Sequence, residues 1–223
     1  MSKATATIVY GLLIAFFGAF FAWPIWQVIQ GGFMDAEGFT LAYVLEVFRN
    51  PIYLEGLRNA FGVAIFSTLF ALLIAVPLAF IADRYQFPLK KLFTGLVLLP
   101  IMLPPFVGAI GVKQIFGQFG AFNAFLEMVG LFGPGDNVDW IGKGQFWGVV
   151  LVSAFSLYPI LYLNAVASLA NIDPAMEEAA ENLGCRGFKR FFRITLPLMR
   201  PGLFAGCTIV FIWAFTELGV PLI

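Results

Sequence analysis

The sequence predicts an all-α integral membrane protein with about five transmembrane helices. Three observations carry that reading. Of the 223 residues, 61% are hydrophobic and only 12% charged, whereas a soluble domain is about 45–50% apolar and about 25% charged. Mean hydropathy is +0.90. The apolar residues also gather in runs long enough to cross a bilayer, each bounded by glycine, proline or charge. Net charge is zero and histidine is absent, so any charge signal lies in its distribution. Cys185 and Cys207 stand in different settings, a charged loop and an apolar run, so neither a disulfide nor a cysteine metal cluster is expected. No GxxxxGK[ST] phosphate loop occurs, which assigns any ATP chemistry to another chain.

The first span is read at Ile8–Val28, retained rather than cleaved because no small-residue cleavage site follows it. Leu41, Val44, Leu45 and Phe48 then follow helical spacing, predicting a short amphipathic helix ended by Asn50-Pro51. The second span is read at Asn59–Ala82. Its Ala71, Ala75 and Ala79 form a small-residue ridge against which a neighbouring helix can pack, and Pro77 is expected to kink it. A short basic loop, Asp83–Lys91, leads to a third span at Leu92–Phe116 broken by Pro100, Pro104 and Pro105. An interrupted helix at membrane depth is tolerated only inside protein or beside a wet cavity. Pro104 and Pro105 are therefore candidates for lining a translocation pathway, a packed kink being the alternative. Phe122, Phe125, Leu126 and Val129 make an apolar stripe suited to a helix lying in the interface, ended by Gly133-Pro134-Gly135. The fourth span is read at Trp147–Ala170 and the fifth at Leu203–Ile223, the latter entered through Gly202 and Gly206, a GxxxG pair.

Between the last two spans lies the longest strongly charged segment, Asp173–Pro201. Asp173 is a good N-cap, Pro174 suits the first helical position and Gly184 can take the left-handed conformation that closes a helix. Ala175, Met176, Ala179, Ala180 and Leu183 fall on one side of that helix, with Glu177, Glu178 and Glu181 at its start and flank. The alanines leave room for a close partner surface, and Pro197 is expected to end the next element before the chain re-enters the membrane. The bland alternative is a solvated connector between two spans.

Glu178-Ala179-Ala180, three residues, Gly184, nine residues, then Ile194, Leu196 and Pro197 reproduce one spacing pattern in full. In it the segment resembles the cytoplasmic "EAA" loop of permease subunits of binding-protein-dependent type I ABC importers. Leu103-Pro104-Pro105-Phe106 and Phe215-Thr216-Glu217-Leu218-Gly219 are similar to ferric-iron-type permeases. The resemblance covers the chain from about Tyr53 onward. It implies a type I permease fold lacking its final helix. Residues 1–52 form a first helix with an external amphipathic segment, and 53–223 form the permease core with a coupling loop at 171–202. It further implies that Glu178, Ala179, Ala180, Gly184, Ile194, Leu196 and Pro197 couple the permease to an ATPase. The implied partners are cytoplasmic ABC ATPase subunits, an external substrate-binding protein and a second permease unit. That unit is a homodimer or heterodimer partner, or the other half of a tandem chain. No cofactor is expected on this chain and ATP is expected on the partner subunit; the chain itself is a pore subunit, not an enzyme. The resemblance makes ferric iron one candidate solute; sulfate, thiamine, phosphonate, polyamine and sugar stay open.

Basic residues set the orientation. Placing the N-terminus, 83–91 and 173–201 on one side collects Lys3, Arg84, Lys90, Lys91, Arg186, Lys189, Arg190, Arg193 and Arg200, nine of the 13 basic residues. That puts the loop and the N-terminus in the cytoplasm of a bacterial inner membrane. Glu217, acidic within an apolar run, is a pathway or gate candidate, or else a wet residue near the outer surface. Ser153, Ser156, Tyr158, Tyr162 and Asn164 serve interhelical hydrogen bonds or substrate. A secondary transporter or channel, which would show ion-coupling residues or inverted repeats, and a non-transport membrane scaffold are the competing classes.

Overall fold

The computed structural model describes residues 3–35, 38–133, 135–141 and 145–217. The chain divides into two compact units, Met1–Arg58 and Asn59–Ile223. In the first, helix α1 (Lys3–Phe17) continues through a π turn (Gly18–Ala22) into α2 (Trp23–Phe33). The π turn falls just before Pro24. The Trp23 amide reaches back five residues to Gly18, re-pairing the backbone where proline has no donor to offer. A two-residue hairpin, β1 (Met34–Asp35) with β2 (Gly38–Phe39), follows, Phe33 and Phe39 stacking at 6.1 Å. The expected amphipathic helix is α3 (Ala42–Arg49). Asn50 ends it and its Oδ1 accepts the Ile52 amide at 3.0 Å, opening the next helix at once. That helix, α4 (Pro51–Arg84), starts eight residues before the Asn59 expected for the second span, because Pro51 serves as a helix start rather than a break.

The second unit is built on α4, α8 and α11. Between them run α5 (Lys90–Leu98), a 3₁₀ turn (Leu99–Met102), α6 (Pro105–Phe116) and α7 (Ala121–Met128), then α8 (Gln145–Ala170). After α8 come α9 (Pro174–Asn182), α10 (Gly187–Arg190), a π turn (Phe191–Thr195) and α11 (Leu196–Thr216). Among the described residues of both units, four helices are long and apolar enough to span a membrane. A fifth span arises if the pair Lys90–Met102 and Phe106–Met128, bent by 105°, counts as one. The prolines at 100, 104 and 105 thus do break the third span, at Leu103-Pro104, since Pro100 and Pro105 each open a new helical segment.

Small residues set the packing. Ala64, Ala71, Ala75 and Ala79 are fully buried along α4, as the alanine ridge predicts, and Ser67 Oγ donates to the Val150 carbonyl of α8 at 3.1 Å. Phe61 meets Phe211 and Phe80 meets Phe191, so α4 and α11 run antiparallel. Gly62 approaches Phe146 while Ser67 approaches Val150, so α4 and α8 run the same way. Among the polar residues of α8, Asn164 bonds within its own helix, its Nδ2 donating to the Ile160 carbonyl at 2.9 Å, and Ser168 Oγ donates to the Asn164 carbonyl at 2.7 Å. Pro197 does not end an element before the fifth span. It lies in the first turn of α11 inside one continuous helix, Gly187–Thr216. The π turn just ahead of it absorbs its missing donor, Leu196 N–H bonding Phe191 O. That span ends at Thr216, and 218–223, which the reading of the fifth span included, lie outside the described residues.

Candidate functional site

The end of the second unit that carries Arg84 and the 173–201 loop is where the chain departs most from a greasy bundle. Asp173 Oδ1 accepts the Ala175 amide at 2.9 Å and Pro174 fills the first position, a complete N-terminus for α9. At the other end Cys185 N–H bonds Ala180 O at 2.9 Å and Gly184 N–H bonds Glu181 O at 2.9 Å, with Gly184 at φ 78°. That pair of bonds around a left-handed glycine is a Schellman closure. Gly187, the first residue of α10, also has positive φ, 57°, so two left-handed glycines stand within four residues.

The face of α9 turned to the protein is not its apolar one. Only Glu177 and Ala180 are buried. One oxygen of Glu177, Oε1, accepts the Arg84 guanidinium from the end of α4 and the Thr195 hydroxyl, at 2.9 Å, from the π turn. Arg84 is itself held by Asp83 at 3.4 Å and lies 6.0 Å from the centre of the Phe80 ring. Glu181 pairs with Arg190 of α10. With ion pairs and one methyl filling the inner side, no bulky apolar residue is needed there. Met176 (50% exposed), Ala179, Leu183 (88%) and, beyond the turn, Phe188 (85%) face outward instead.

Of the other residues singled out in the sequence, Glu178 and Gly184 are exposed, while Ile194 in the π turn and Leu196 and Pro197 in α11 are half-buried. The glutamate–alanine–alanine triplet and Gly184 thus share one helix and its closure, and the Ile–x–Leu–Pro part begins the following span. Pro104 is exposed at the break in the third span, and of Pro105 only the backbone is described, as the start of α6. Glu217 is not inside a helical run: it is half-buried at the C-terminal cap of α11. A cavity of about 340 Å³ lies beside the broken helix, lined by Leu78, Pro100, Gly108, Val112, Ser156 and Tyr158 among others. Neither Pro104 nor Glu217 lines it.

Sequence reasoning missed Glu177, Arg84 and Thr195. Helical spacing places 177 with 180 and 181 rather than with 176 and 179, and that was the available signal. It also missed Asn123, which α7 buries. Its Nδ2 donates to Gly117, Gln118 and Val138 carbonyls at 3.2, 3.0 and 2.7 Å, and its Oδ1 accepts Trp140 Nε1 at 2.9 Å. Two amide hydrogens shared over three carbonyls make Asn123 the hub of the 117–141 segment.

Membrane-length apolar helices, a broken span beside a cavity and a structured, partly apolar helix presented at one end are the make-up of a multi-pass helical membrane protein. The chain belongs to the family described as "Binding-protein-dependent transport system inner membrane component", whose family model matches residues 71–223. It is 31% identical over 95% of its length to the ferric transport system permease protein FbpB of Actinobacillus pleuropneumoniae, but spans only 30% of that protein. It is 33% identical to the molybdenum transport system permease protein ModB of Haemophilus influenzae, over 74% of this chain and 69% of that one. Its fold resembles a solved bacterial alginate ABC transporter in complex with an alginate pentasaccharide-bound periplasmic protein. The TM-score there is 0.71 at 18% identity, over 98% of this chain and 79% of that one.

Proposed function

We propose that this chain is a pore-forming permease subunit of an ATP-driven importer, with 171–202 as the site where a separate cytoplasmic ATPase docks. The observation that carries this is the outward apolar face of α9. A connector helix kept only for solvation would turn its glutamates out and its Met176 and Leu183 in; here Glu177 is in and Met176, Ala179 and Leu183 are out. Such a face, small in the middle and apolar at its ends, suits a groove on a partner surface. Glu178, exposed on the same helix, adds charge selection to that contact. The excess of basic residues on this side supports a cytoplasmic loop and N-terminus. An external binding protein would deliver the solute, and the cavity beside Pro100 is the first place to look for its path. Ferric iron is the first solute to test, on the likeness to a ferric permease; molybdate is the second.

The test is retention of the ATPase encoded with this permease. Tagged permease is expected to carry the ATPase through purification. Met176→Asp with Leu183→Asp should reach the membrane at normal level and lose it. Equal ATPase recovery with both forms would refute docking at α9.

A further inference from the structure

We propose that Glu177 is the positioning residue that makes α9 move as one body with α4 and α11. This rests on the reading of α9 as the ATPase-docking helix. The glutamate–alanine–alanine triplet begins one residue later, and its Glu178 and Ala179 are exposed. Glu177 faces the other way. Of the nine residues of α9 only Glu177 and Ala180 are buried, and Ala180 contributes a single methyl group. A helix this short has little stability of its own in water, so what fixes its position is what grips its inner face. The Glu177 carboxylate is the largest such grip. Its one oxygen receives Arg84 from the last turn of α4 and Thr195 from the start of the α11 span.

Both partners have contacts of their own. Thr195 is 1% exposed and begins the buried ridge that continues through Met199, Leu203, Gly206, Val210 and Ala214. The π turn at Phe191–Thr195 sets it four residues before Met199, on the same side of the helix. Arg84 is held by Asp83 and lies over Phe80. A push on α9 therefore reaches two spans of opposite direction through one carboxylate. The Glu181–Arg190 pair reaches only α10, next along the chain and more exposed. Charge matters as well as shape. The carboxylate is 7% exposed and Arg84 28%, so removing the arginine leaves a buried charge with only a hydroxyl partner, which is more damaging than losing a neutral contact.

The experiment uses the whole transporter in liposomes, with its own ATPase and binding protein, and reads substrate taken up per ATP hydrolysed beside ATPase retention. Glu177→Gln and Arg84→Gln should each retain the ATPase yet lower uptake per ATP by about 10-fold, and the double variant should be no worse than either. Thr195→Val, losing one arm, should fall between these and the wild type. Wild-type coupling in Glu177→Gln, or defects that multiply in the double variant, would overturn the proposal. If Glu177→Gln fails to accumulate, Arg84→Gln and Thr195→Val decide the matter: normal coupling in both sinks it. A wild-type transporter that never retains the ATPase would instead overturn the docking reading on which this one stands.

Discussion

A Cβ added to Gly202 would stand 1.9 Å from Ser168 Oγ, so α8 and α11 cross at a point where no side chain fits between them. Four residues on, Gly206 leaves only 2.9 Å to Leu161 Cδ2 and 3.0 Å to Asn164 Cβ. The Ser168 hydroxyl cannot simply rotate away, because it bonds the Asn164 carbonyl at 2.7 Å. With lipid as apolar as the helices, such close packing is what holds two spans together. Gly202→Ala should lower stability in detergent by about 1–3 kcal/mol through overpacking. Ser168→Ala in the same chain should restore part of it, since the remaining Cβ lies 3.2 Å away. Thermal melting of the single and double variants checks this; no rescue would mean that the strain lies elsewhere.

Asn123 should be the weak point of the 117–141 segment. Asn123→Ala removes four hydrogen bonds at once and leaves Trp140 Nε1 and three carbonyls to find other partners. A loss of about 1–3 kcal/mol, the usual cost of a buried group left unsatisfied, is expected. It should stay local, because α4, α8 and α11 pack without it. Faster proteolysis confined to this segment, with the rest of the chain still resistant, is the expected result. Unchanged cleavage would remove Asn123 from its role as hub.

Gly184→Val should cost about 1–2 kcal/mol from backbone conformation alone. The conformation is left-handed at φ 78°, and no atom lies within 4 Å of the added Cβ. Because the space is open, Gly184→Asn should be milder than Gly184→Val. Membrane levels should stay near normal while ATPase retention falls in that order. Equal retention in both would show that the reversal at 184 does not position α9.

Glu178→Lys reverses the charge midway along the exposed side of α9, so a contact with a basic partner groove would turn repulsive. Glu178 is exposed, so folding should tolerate the change. Permease abundance should be unaltered while binding-protein-stimulated ATP hydrolysis drops several-fold. Normal stimulation would detach this carboxylate from coupling.

If the cavity beside the broken span belongs to the path of the solute, cysteines at Gly108 and Ser156 should react with water-soluble thiol reagents once Cys185 and Cys207 are replaced. A Cβ at Gly108 meets only Ser156 Oγ, at an ordinary 3.6 Å, so the probe fits without distortion. Reactivity should change when ATP is bound. Protection at both positions in every state would leave the cavity a packing defect.

The sequence alone determined the membrane class, the positions of most spans, the alanine ridge of α4, the break near Pro104 and both ends of α9. All of these rest on local physics. Hydrophobic run length, small residues at helical spacing, proline's missing donor, an Asp-Pro start and a glycine closure act on a few neighbouring residues, whatever the rest of the chain does. It misjudged the start of α4 and the role of Pro197, because a proline can open a helix, or follow a π turn, as readily as it ends one. Only the tertiary structure decided which way α9 faces. Arg84, Glu177 and Thr195 are separated by 93 and 18 residues of chain, and a contact of that range leaves no periodic trace. A carboxylate among three glutamates reads as one more solvated charge until the fold brings an arginine and a threonine to the same oxygen.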